Sequence, residues 1–105
     1  MKPATQTEDR EDLLRRRMEE LRGRFRKRLS RDRTALLDAW RKGSTDTVRE
    51  EAHKLAGSAP SFGYPKIGAA AAEVERTLDA DASPGTCEAA VQRLSALLKA
   101  EGDQQ

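Results

Sequence analysis

Apolar residues recur along this chain at intervals of three and four, and glycine, proline or clustered hydroxyls interrupt the pattern between runs. The first run is Leu14, Met18, Leu21, Phe25 and Leu29, a stripe of helical period. Thr7 is placed to cap this helix, and Glu8, Asp9, Glu11 and Asp12 make its first turn acidic, as the helix dipole favours. Gly23 marks a place for a bend. The stripe resumes at Leu36 and Trp40, and Gly43 supplies a stop. The pattern leaves open whether residues 8–42 form one helix or two joined near Ser30. In "STDT", residues 44–47, hydroxyls cluster, and Thr47 and Glu50 are spaced as a capping box. The helix that follows carries Val48, Ala52, Leu55, Ala59 and Phe62 on one line, and is expected to run to about Gly63 with a kink near Pro60. "GYPK" reads as a turn, and Ile67, Ala71, Val74 and Leu78 give the next stripe. Ser83 and Pro84 read as cap and first-turn proline of a last helix bearing Cys87, Val91, Leu94 and Leu98.

Helices joined by such short connections predict an all-α protein, an antiparallel four-helix bundle (up-down-up-down) with an N-terminal helical extension. One domain is expected over residues 8–100, between flexible tails at residues 1–7 and 101–105. The composition agrees. Alanine, leucine, arginine and glutamate dominate, while valine, isoleucine and threonine are too thinly spread for a sheet. A chain of 105 residues has room for one modest core.

No run approaches the ~20 apolar residues of a membrane span, and "MKPATQTEDRED" lacks the apolar centre of a signal peptide. The lone cysteine, Cys87, has no disulfide partner and suits a core position and a reducing, cytoplasmic setting. One histidine and one cysteine fall short of a zinc set. Charge is unevenly spread. Residues 10–33 carry eleven Arg or Lys against five Asp or Glu, a balance of +6, and residues 34–105 carry eight against eleven, a balance of −3.

The only histidine, His53, lies in "AHKLAGSAPSFG". On a helical wheel it falls roughly 140° from Val48, off the apolar line, and so faces solvent. Gly57 stands one turn further on the same side, where a mid-helix glycine costs about 0.8–1 kcal/mol relative to alanine. A bare backbone there leaves room for a large group on the ring or for a partner surface; the plainer reading is that Gly57 ends the helix. An exposed imidazole titrates near neutrality and is nucleophilic when neutral. No serine or cysteine with an orienting acid accompanies it, and no nucleotide-binding glycine motif is present. A lone nucleophile without a pocket suits carriage of a group that other proteins supply and remove, phosphoryl above all.

These residues resemble the histidine-containing phosphotransfer domains of phosphorelays, which typically read H-x-L-[KA]-G-[ST], with a glycine ten residues after the histidine and a hydrophobic-Glu pair near twenty-one and twenty-two. Here the matching positions are His53, Leu55, Gly57, Ser58, Gly63 and Val74-Glu75. Ile67 fills a customary aliphatic position, Trp40, Gly43 and Val48 match the approach to the helix, and the likeness covers about residues 25–100. The resemblance implies a bundle with His53 exposed midway along one helix. It implies that His53 accepts a phosphoryl group from a receiver-domain aspartate and yields it to another receiver. The expected partners are response-regulator receiver domains and a hybrid histidine kinase. Magnesium belongs to the receiver, so the bundle needs no cofactor or metal of its own, and it would act as a monomeric carrier rather than an enzyme. One departure matters. Many members have lysine three residues after the histidine; here that position is Ala56, and Lys54 directly follows His53. Arg49, one turn before His53 on the same face, is the better-placed cation, helped by Lys54. Ser58 is expected to bond locally, Glu75 either to pair across helices or, the preferred reading, to face water, and Phe62 and Tyr64 to cover the bundle edge near the histidine or to anchor a partner.

An alternative function is a helical adaptor that binds nucleic acid or an acidic protein through the arginine-rich N-terminal helix. The absence of a helix-turn-helix pairing and of interleaved aromatics speaks against nucleic acid. A third reading, the dimerisation helices of a histidine kinase, lacks the acidic residue after the histidine and the ATP-binding domain. Donor, acceptor and direction of transfer are not written in the sequence.

Overall fold

A computed structural model describes residues 3–102 of the chain. The expected tails at 1–7 and 101–105 therefore lie in part outside the described residues. Four helices follow one another: α1 (Pro3–Arg41), α2 (Thr45–Ser58), α3 (Pro65–Asp79) and α4 (Pro84–Gly102). A 3₁₀ turn, Pro60–Phe62, stands between α2 and α3. Helices adjacent in sequence pack side by side, and α4 closes back on α1, which is the up-down-up-down bundle. The question left open for residues 8–42 is answered: α1 is one helix of 39 residues, unbroken at Gly23 and Ser30. It is already helical at Pro3, so Thr7 lies inside the helix rather than at its cap.

Leu29, Leu36, Val48, Ile67, Val74, Val91, Leu94 and Leu98 are fully buried, each worth about 1.5–3 kcal/mol of apolar burial. Cys87 takes its place among the buried residues. The buried hydroxyls of Ser95 and Thr77 find partners: Arg33 Nε donates to Ser95 Oγ across α1 and α4 at 3.0 Å, and Thr77 Oγ1 donates to Val74 O at 2.9 Å. Trp40 Nε1 donates to the Glu88 carboxylate, tying α1 to α4.

Three helix ends use one device. At Gly43 (φ 73°), Ser44 N–H reaches Ala39 O at 2.9 Å and Gly43 N–H reaches Trp40 O at 3.1 Å. At Gly63 (φ 89°) the bonds are Tyr64 N–H to Ala59 O and Gly63 N–H to Pro60 O. At Asp81 (φ 54°) they are Ala82 N–H to Thr77 O and Asp81 N–H to Leu78 O, with an aspartate accepting the left-handed backbone. Ser83 caps α4 as expected, its Oγ accepting from Thr86 N–H at 3.3 Å.

Two expectations need correction. The Thr47–Glu50 capping box does not form: α2 begins at Thr45 behind Ser44, with no capping side-chain bond. The α-helical path also stops at Ser58 instead of running to Gly63. Pro60 has no amide hydrogen to continue the ladder, and the chain tightens into the 3₁₀ turn. That turn packs tightly. A Cβ built on Gly68 of α3 would stand 2.6 Å from Pro60 Cγ, so only glycine lets α3 approach it.

Candidate functional site

Val48, Ala52, Leu55 and Ala59 are all buried, which turns His53 outward from α2. Its side chain is 79% exposed. The ring is nonetheless oriented, because His53 Nδ1 lies 2.9 Å from Glu75 Oε2 on α3. A carboxylate oxygen only accepts, so this contact requires the proton on Nδ1 and, in the neutral ring, leaves the lone pair on Nε2. Of the two readings of Glu75, the preferred one, facing water, gives way to pairing across helices. Its carboxylate is the partner that fixes the imidazole, with the side chain only 23% exposed.

The contact is one rung of a ladder between antiparallel helices. One turn back along α2, Arg49 Nε stands 2.9 Å from Asp79 Oδ1, and Asp79 is one turn onward along α3. The N–H does not point squarely at the oxygen, so this rung is an ion pair by proximity. Arg49 also lies 3.9 Å from Asp46. One turn ahead of His53 the ladder has no rung. Gly57 is exposed, and a Cβ built there would meet nothing within 4 Å. The imidazole is thus flanked by an ion pair on one side and bare backbone on the other.

Ser58 bonds locally, as expected, with Oγ donating to Lys54 O at 2.7 Å. Lys54 Nζ lies 3.5 Å from Glu51 Oε1. Both residues act on Asp32 of α1, whose carboxyl is raised above its usual range. Burial is the main cause, Glu51 adds to it, and Arg28, Lys54 and Arg31 oppose it. Phe25 stacks on Phe62, with ring centroids 4.9 Å apart, and on Tyr64 at 5.5 Å, which closes this end of the bundle.

Two grooves, about 560 and 570 Å³, lie between α3 and α4 and include neither His53 nor Gly57. Among the described residues no cluster of three or more His, Cys, Asp or Glu side chains forms that would hold a metal ion. No helix among them is long and apolar enough to cross a membrane.

The bundle thus presents one oriented, outward imidazole beside open backbone. The family model described as Hpt domain matches residues 20–103, and the chain belongs to that family. Its members carry phosphoryl groups on histidine in phosphorelays, without kinase activity of their own. No curated protein and no solved structure matches the chain.

Proposed function

We propose that His53 is the phosphoacceptor, taking a phosphoryl group from the aspartyl phosphate of one receiver domain and passing it to the aspartate of another. The observation that carries this reading is the Nδ1–Glu75 bond beneath an exposed Nε2. The Nε2 lone pair attacks phosphorus, the P–O bond to the aspartate breaks, and the carboxylate leaves with the electron pair. The proton stays on Nδ1. The ring gains positive character as the new bond forms, and the Glu75 carboxylate stabilises that charge, as the buried aspartate does for histidine in hydrolase triads. The reverse attack by a second receiver's carboxylate returns the ring to neutrality.

Gly57 leaves space for the phosphoryl oxygens and the approaching receiver. Arg49 and Lys54 supply positive charge along α2, Arg49 held by Asp79 and Lys54 on a longer tether to Glu51. Ser58 secures the end of the helix through its bond to Lys54 O. The bundle supplies no metal; magnesium sits in the receiver, and catalysis is mostly positioning and charge stabilisation within the complex. The partners in this reading are response-regulator receivers and the receiver of a hybrid histidine kinase, met by a monomer in the cytoplasm.

The test is incubation with a phosphorylated receiver. The wild-type chain acquires an acid-labile, base-stable phosphoryl group, and His53→Gln acquires none while keeping its helical spectrum and melting temperature. Label retained by His53→Gln contradicts the assignment. Arg49→Ala slows transfer or shortens the phosphohistidine lifetime; if both are unchanged, Arg49 has no part in it.

A further inference from the structure

α1 outruns the bundle. Its 39 residues measure about 58 Å, against about 28 Å for the 19 residues of α4. Every residue from Asp9 to Arg22 is exposed, including Leu14, Met18 and Leu21 at 42–59%. These three continue the seam that Phe25, Leu29 and Leu36 bury inside the bundle. The sequence stripe is therefore real, but its first half is uncovered, because no other helix reaches it. Leu14 and Met18 also precede the family match, which begins at residue 20. Most of the overhang lies outside the matched span, and Leu21 and Arg22 stand at its start.

We propose that this overhang is a docking segment for an acidic amphipathic helix of a partner protein, which packs on Leu14, Met18 and Leu21 as the second strand of a short coiled coil. From Leu14 to Phe25 the steps are four, three and four, the spacing of a two-stranded seam. Leu14, Met18, Leu21 and Phe25 lie within about 60° of the wheel, the width of a coiled-coil seam, and Leu13, also exposed, stands at its edge beyond Arg24.

Charge selects the occupant. Arg10, Arg17 and Arg24 flank the stripe on one side, and Arg15 and Arg22 on the other, with Glu11 the one acid among them. Asp9, Asp12, Glu19 and Glu20 fall on the reverse face. Arg15 reaches back to Asp12 at 3.2 Å, an exposed pair that a stronger partner displaces. A second copy of this chain would set arginine against arginine across the seam, which disfavours self-pairing. A helix with glutamate or aspartate beside its apolar seam meets attraction on both edges. A membrane surface fits less well, since five carboxylates, Asp9, Glu11, Asp12, Glu19 and Glu20, share the overhang with the arginines. The phosphoacceptor reading is not needed here, because the seam begins beyond the end of the bundle closed by Phe62 and Tyr64.

The test titrates the full chain against two fluorescent synthetic helices with leucine at the seam positions, one flanked by glutamate and one by lysine. The glutamate-flanked helix binds, and its affinity falls as salt rises from about 50 to about 500 mM. The combined variant Leu14→Ser, Met18→Ser, Leu21→Ser weakens that binding by on the order of 100-fold. It leaves the melt of the bundle and transfer to His53 unchanged. The combined variant Arg10→Glu, Arg15→Glu, Arg17→Glu reverses the preference toward the lysine-flanked helix, a result that loss of folding does not produce. Equal binding of the two helices overturns the proposal, as does binding that survives the serine substitutions. Tighter binding to phosphatidylserine vesicles than to the acidic helix overturns it in favour of a lipid surface. Concentration-dependent dimerisation abolished by the serine substitutions overturns it in favour of a second copy.

Discussion

Gly57 should set stability and function against each other. It is the penultimate residue of α2, and a Cβ there meets nothing within 4 Å. Gly57→Ala therefore introduces no clash and restricts the unfolded chain. Helix propensity alone stabilises by about 0.5–1 kcal/mol, the lower end applying near a terminus. For a domain of this size that raises Tm by about 2–8 °C. The same methyl stands one turn from His53 and leans back over the turn that carries the imidazole. A receiver surface held off by ~1 Å loses on the order of 100-fold in transfer rate. Gly57→Ala should approach that loss and Gly57→Met should reach it, while both melt at or above the wild-type temperature. Single-turnover transfer from a phosphorylated receiver, read beside a thermal melt, gives both quantities. Gly68→Ala is the control. Its Cβ would fall 2.6 Å from Pro60 Cγ and 2.8 Å from Cδ, a rigid ring that cannot swing away. It should destabilise by about 1–3 kcal/mol. If Gly57→Met transfers at the wild-type rate, the open backbone has no role in partner approach; if Gly57→Ala is less stable than wild type, the space beside His53 is occupied.

Two further outcomes follow from the polar contacts. Glu75→Ala frees Nδ1, so the tautomer with its proton on Nε2 becomes populated and transfer slows about tenfold or more, the scale of one hydrogen bond to a charged group. Glu75→Gln keeps an acceptor for Nδ1–H and should retain more activity than alanine; equal rates in the two variants would show that the ring needs no orienting partner. Asp32 is raised by burial, so the folded state holds its proton to higher pH than the unfolded chain does. Stability is lost as pH rises from the unfolded value through the raised folded one, and is regained on acidification through that window. Asp32→Asn removes this dependence. Its Tm advantage over wild type should therefore be larger at about pH 7 than at about pH 4, and a constant difference across that range refutes the assignment.

Much of the fold and of the site is legible in the sequence. The line Val48–Ala52–Leu55–Ala59 fixed which way His53 faces, because burial of one side of a helix exposes the other. Gly43 and Ser83 marked their helix ends through chemistry local to each residue. Glu75 was misread because its partner depends on how α2 and α3 slide past one another, and the Pro60–Gly63 turn sets that register. A signal was nevertheless present. Arg49 and His53 are four apart, Glu75 and Asp79 are four apart, and a hairpin pairs the first of one couple with the last of the other. The fate of Leu14, Met18 and Leu21 was hidden for a similar reason. Periodicity identifies a face, and only the lengths of the neighbouring helices decide whether it is covered.

Phosphotransfer at His53 depends on which ring nitrogen is held and which is offered. The most direct measurement is NMR of the chain labelled with ¹⁵N in its single histidine, recorded before and after phosphorylation by a receiver. Nδ1 should be protonated in both spectra, and the second should show a phosphorus coupling at Nε2. Phosphorus bonded to Nδ1, or a histidine spectrum unchanged while the chain carries phosphate, would contradict this assignment.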